Sequence, residues 1–178
     1  LLQPGKAARY YMLHKPVGVV SATQHPEHQT VIDLLDVPDK HQLHLAGRLD
    51  LNTSGLLLIT NDGLWSRRAT APDCRHAKVY RVQTEHDINP DCIQHFANGL
   101  YFAYEDLTTR PALLQIKAPR QAILTLHEGR YHQVKRMFGH FRNKVIGLHR
   151  DSLGSIHLDA RLLPGEYRPL TVEEIASI

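Results

Sequence analysis

Cysteine is scarce in this chain of 178 residues: Cys74 and Cys92 lie far apart, with no C-x-x-C spacing. That excludes a disulfide framework and a thiolate zinc site, and it fits a reducing cytoplasm. Long apolar runs are absent too. Stretches such as residues 55–59 (GLLLI) stop far short of the roughly 20 residues a membrane helix needs. The opening LLQPGKAARY has neither an initiator Met nor the charged-then-apolar order of a secretory leader, so the chain reads as part of a longer protein. No G-x-G-x-x-G, Walker lysine loop or G-x-S-x-G elbow occurs, which argues against a nucleotide cofactor and a serine hydrolase.

What is present is an ordinary globular composition, 42% hydrophobic and 22% charged, with an uneven distribution of charge. Residues 130–150 hold Arg130, Lys135, Arg136, Arg142, Lys144 and Arg150 without one Asp or Glu. That block carries +6 in a chain of net +3, so the remainder is −3. Clustered cations displace counterions from phosphates, which points to a polyanion; a solvated helix face would read the same on charge alone.

Periodicity predicts an α+β domain. Residues 9–14, 43–46, 55–60, 77–84 and 121–127 read as strands, and Asn61-Asp62-Gly63 as a turn. Helical spacing covers 30–35, capped by Thr30, and 89–98, opened by Asn89-Pro90. Apolar residues at Tyr131, Val134, Phe138 and Phe141 predict a further helix, 144–149 and 152–158 further extended segments, and TVEEIASI from Thr171 a capping box and terminal helix.

Two constellations carry chemistry. Asp50, in Gly47-Arg48-Leu49-Asp50, sits in a polar loop between apolar strands, where Arg48, Asn52, Thr53 and Ser54 could keep it ionised and oriented. An Asx turn paired with Arg48 is the alternative. On the helix after Glu128-Gly129-Arg130, Lys135 lies about 80° from the apolar face and can reach into a cleft, while Arg136 points nearly opposite, toward solvent or phosphate with Arg130 and Arg142. Cations snorkelling over the core edge would look alike. His25-x-x-His28 and His41-x-x-His44 lack neighbouring Cys and fall in loops, so no metal site is expected.

GRLDLNTSGLLLITNDG (residues 47–63) and EGRYHQVKRMF (128–138) resemble the pseudouridine synthase family, in its RsuA branch. RYYMLHKPVGVVSAT (9–23) is similar to that branch's Lys-Pro motif, and the tail LLPGEYRPLTVEEIASI (162–178) to its small-subunit ribosomal RNA enzymes. The resemblance implies a mixed, largely antiparallel sheet with flanking helices over 9–178. Residues 1–8 would end a linker from an N-terminal RNA-binding domain.

It also makes Asp50 the catalytic aspartate, Tyr80 the tyrosine packing on the target base, Lys135 its cationic partner and Val134 a wall of the base pocket. Arg48, Arg130, Arg136 and Lys15 would contact substrate. The implied reaction converts a uridine of small-subunit (16S) ribosomal RNA, free or in an assembling particle, to pseudouridine. It needs no cofactor, and a monomer is expected. The competing readings are a paralogue acting on large-subunit RNA, a non-catalytic RNA-binding assembly factor, and a glycoside hydrolase, which lacks a second facing carboxylate.

Overall fold

The computed structural model describes residues 7–71, 76–130 and 132–178. Its first half contains β1 (Tyr10–Lys15), β2 (His44–Ala46), β3 (Ser54–Thr60), α1 (Gly63–Thr70), β4 (Lys78–Thr84) and α2 (Asp91–Asn98). There follow β5 (Tyr101–Phe102), β6 (Leu107–Thr108), β7 (Leu113–Ala118), β8 (Gln121–Leu126) and α3 (Gln133–Gly139). The chain closes with β9 (Val145–Leu153), β10 (Ile156–His157), β11 (Tyr167–Pro169) and α4 (Val172–Ala176).

The unbroken apolar run of β3 takes the middle of the sheet, because side chains on both of its faces are buried. Leu57 and Ile59 join one core, with Leu13, Tyr80, Leu124, Phe96 and Phe138, under α2 and α3. Leu56 and Leu58 alternate into a second core with Met12, Trp65 and Ile156, near α1 and α4. All four are 0% exposed. At roughly 25 cal/mol per Å² of apolar surface removed from water, these two layers are the main stabilising contribution.

Nine strands form one sheet in the order β11-β1-β3-β9-β4-β8-β7, with β2 against β3 and β10 against β9; β5 and β6 make a separate ribbon. Its strand pairings are antiparallel except one. β3 meets β9 in parallel through only Ser54–His149 and Gly55–Arg150. This short seam joins two antiparallel halves, and among the described residues β9 has no strand partner on that side before His149. The close approach requires glycine: at Gly55 φ is +115°, and a Cβ would fall 2.2 Å from the Arg150 carbonyl oxygen.

The mixed, mostly antiparallel α+β architecture agrees with the expectation, while several elements differ locally. Asp62 ends no simple turn. Its carboxylate caps α1 by accepting from Trp65 N at 3.1 Å and takes the Tyr10 hydroxyl at 2.5 Å, so a dipeptide typical of turns starts a helix. Residues 30–35 form only a short 3₁₀ turn, Ile32–Leu34, although Thr30 does accept from Asp33 N. Helix α3 stops at Gly139, leaving Phe141 beyond it against Phe96 and His95, and Tyr131 lies outside the described residues. The segments expected at 144–149 and 152–158 are mainly the single strand β9, bulged against β4 between Val79 and Tyr80. Strands β7 and β11 had no reading from sequence. The terminal capping box is present, Thr171 and Glu174 exchanging backbone bonds.

Candidate active site

The loop between β2 and β3 is held by its backbone. Ser21 Oγ donates to Leu49 O at 2.6 Å and accepts from Leu49 N at 3.0 Å. On the other side of Asp50, Lys15 Nζ donates to the carbonyls of Pro16, Leu51 and Thr53, at 2.9, 3.3 and 2.7 Å. Gly18 N adds a bond to Leu51 O, and Thr53 N closes a turn onto Asp50 O. The residues before and after Asp50 are therefore clamped while its own carboxylate stays 42% exposed. Such pre-organisation avoids an ordering cost when a substrate arrives.

Lys15 was expected to touch substrate; the structure corrects this. It is 0% exposed, and its three N–H donors are used on carbonyls, so it positions the Asp50 loop from beneath. Burial pushes its ammonium pKa down to about 8, against the opposing pull of the Asp50 charge.

Asp50 opens into a cleft of about 550 Å³ lined also by Arg48, Tyr80, Arg130, Val134 and Lys135. Tyr80 and Val134 are buried at 9% and 5% exposure, giving an aromatic and an aliphatic wall. The side chain that meets Asp50 differs from the expectation. His132 Nε2 stands 3.5 Å from Asp50 Oδ2, whereas Lys135 makes no ion pair with it here and occupies the rim. His132 holds φ at +48°, a left-handed backbone unusual for a residue with a side chain, directly before α3.

Three further expectations shift. Arg48 does not pair with Asp50: its Nε donates to Ser21 O at 3.1 Å. Neither Thr53 nor Ser54 bonds the carboxylate. Among the described residues the Thr53 hydroxyl is buried without a partner, and Ser54 Oγ lies 2.8 Å from His149 Nδ1. Arg136 leaves the cleft altogether, because successive helical residues diverge by about 100°. It bonds Glu105 at 2.6 Å and stacks 3.9 Å over Phe102, fastening α3 to the β5–β6 ribbon. Arg130 remains on the cleft wall, its Nε 2.9 Å from buried Glu128.

Sequence reasoning passed over two structural supports. Arg150 sits under the cleft, 3% exposed, donating Nε and Nη2 to Leu56 O at 3.0 and 2.7 Å. It appeared in the sequence only as one of six clustered cations. Glu128 accepts Arg110 N and Gln133 Nε2 on Oε2 and Arg130 on Oε1, tying three segments at the cleft edge. At the seam, Ser54, His149, Asp151 and Arg81 form a continuous polar chain, His149 Nε2 being 3.4 Å from Asp151 Oδ1. Burial, then the Arg81 charge, holds the His149 pKa below its ordinary value. Among the described residues no three metal-ligating side chains cluster; His25 instead accepts two backbone bonds of its own turn.

A family model for RNA pseudouridylate synthase matches residues 9–140, which include the Asp50 loop, Tyr80 and α3. The chain belongs to that family. Ribosomal small subunit pseudouridine synthase A of Pseudomonas aeruginosa is 60% identical over 178 residues, 100% of this chain and 77% of that protein. The Escherichia coli protein of the same name is 51% identical over 170 residues, 96% and 74% of the two chains. A crystal structure of pseudouridylate synthase has a TM-score of 0.93 at 42% identity, over 99% of this chain and 76% of its own. An archaeal box H/ACA sRNP complex, at 16% identity and TM-score 0.54 over 88% and 51% of the chains, shares the fold alone. The matched residues thus include the exposed Asp50 carboxylate on its clamped loop and the buried Tyr80 that lines the same cleft.

Proposed function

We propose that this pseudouridine synthase isomerises a specific uridine of small-subunit ribosomal RNA, with Asp50 as its catalytic carboxylate. The observation that carries the reading is Asp50 itself, clamped through Leu49, Leu51 and Thr53 and open to a cleft that has Tyr80 in its wall. The reaction breaks the bond from uracil N1 to ribose, turns the base, and rejoins it through C5, with the C5 proton released. Neither hydrolysis nor redox change is involved. Asp50 serves as nucleophile on the sugar or as base on it, and both routes need one ionised carboxylate at fixed position.

To be reached, the uridine leaves its stack and enters the cleft. Tyr80 and Val134 then offer it apolar faces, while Lys135, Arg48 and Arg130 at the walls meet the charged backbone. His132 Nε2 stands at the Asp50 carboxylate inside the same cleft that Lys135 lines. Among the described residues no helix is long and apolar enough to cross a membrane. The proposed setting is the cytoplasm, with the protein acting as a monomer on the RNA or on an assembling small-subunit particle.

The test uses small-subunit RNA tritiated at uracil C5, free and as ribonucleoprotein. The expected result is tritium release by the wild type and none by Asp50→Ala. Release only from large-subunit RNA would overturn the target, and binding without release from any RNA would overturn the activity.

A further inference from the structure

A second groove, of about 1,210 Å³, adjoins the cleft, and Lys135 and Leu148 line both. Its chemistry is one-sided. Lys117, Arg142 and Lys144 face it, no Asp or Glu is among its lining residues, and none of these three cations pairs with a carboxylate among the described residues. Arg81, the other arginine there, is already engaged by Asp151. The same lining includes two exposed aliphatic side chains, Val17 at 59% and Ile146 at 55% exposure. Alongside runs the first part of β9, where among the described residues no strand covers the edge before His149.

Arg142 supplies an independent sign. It follows α3 with φ at +56°, where glycine is the unstrained choice. Backbone strain kept together with a long cationic side chain at a groove is a reason to look for a ligand.

From these features we infer that the groove holds the single-stranded RNA adjoining the target uridine. Phosphates would lie against Lys117, Arg142 and Lys144, with base faces on Val17 and Ile146. Cations and exposed apolar surface in one groove suit an unpaired strand, whose bases and backbone are both accessible. An acidic protein segment would use the cations but leave the aliphatic pair without a planar partner. Lys135 stands at the junction, where the backbone passes from groove to cleft. This inference rests on the cleft being the uridine site, and it adds the path of the neighbouring nucleotides.

The test compares the full-length protein with a Lys117→Gln/Arg142→Gly/Lys144→Gln variant on tritiated small-subunit RNA. Removing three phosphate contacts to a single strand should lower the slope of log Kd against log salt by about 2. KM should rise about tenfold or more, with kcat within about twofold, since the contacts are distant from the reacting atoms. Arg142→Gly alone, which keeps the left-handed backbone without strain, should lower the slope by about 0.7 with undiminished thermal stability. That single variant decides the matter if the triple variant fails to fold. Unchanged slope and KM in a protein that still releases tritium would overturn the groove and leave the cleft assignment standing. A fall in kcat at unchanged KM would also overturn it. No tritium release by the wild type would instead overturn the cleft assignment.

Discussion

Replacing Lys15 with Met removes both the charge of this buried ammonium and its carbonyl contacts, and pH is the lever that separates the two. The folded pKa is about 8 against an ordinary 10.5. Between those values the unfolded chain binds more protons than the folded one, so the Lys15 contribution to stability rises with pH. Below the folded pKa both states are protonated and the cost of burying the charge is present in full. Above the unfolded pKa both are neutral and that cost is gone. A shift of about 2.5 units corresponds to about 3 kcal/mol. Urea unfolding of wild type and Lys15→Met, at steps from about pH 7 to about pH 10.5, should show the wild type gaining that amount on the variant. Other titrating groups cancel in the difference.

Activity should move the opposite way. The neutral amine has two N–H donors for three carbonyls, so the loop carrying Asp50 loosens and kcat falls above about pH 8 even as the fold strengthens. Lys15→Met should show low kcat throughout with no such limb. A wild-type minus variant difference that stays flat across the range would refute the reasoning, because it would mean that no buried charge is being relieved.

Two other substitutions probe the frame. Gly55→Ala forces a Cβ onto the Arg150 backbone at positive φ, and overpacking plus strain should cost about 3–4 kcal/mol, read as a lowered denaturation midpoint; a loss under about 1 kcal/mol would show that the seam can part cheaply. Glu128→Gln keeps the shape, but its NH₂ must face a donor and the Arg130 pair is lost, so a loss of about 1–3 kcal/mol is expected by thermal unfolding, and an unchanged midpoint would show that the charge is dispensable.

The sequence by itself determined the strand-rich α+β character, the strand over residues 55–60 and the loop that holds Asp50. Each of these is a local property: an alternation, an unbroken apolar run, a cluster of polar residues between strands. Its four motifs also carried the family. Helix α1 was hidden because Asn61-Asp62-Gly63 is equally good turn chemistry, and only Tyr10 and Trp65, brought in by the sheet and the second core, make Asp62 a cap. The roles of cations were least legible, since Lys and Arg differ little in pattern whether buried or solvated. Residue 15 follows a strand's alternation into the interior, where three carbonyls from two separate loops wait for it; residue 136 turns away from the cleft onto Phe102 and Glu105. Which nitrogen faces Asp50, and which cations are left to line a groove, depends on contacts between segments remote in the chain. Of these, the His132 approach to Asp50 joins segments of the two half-sheets that meet at the Ser54–Gly55 seam.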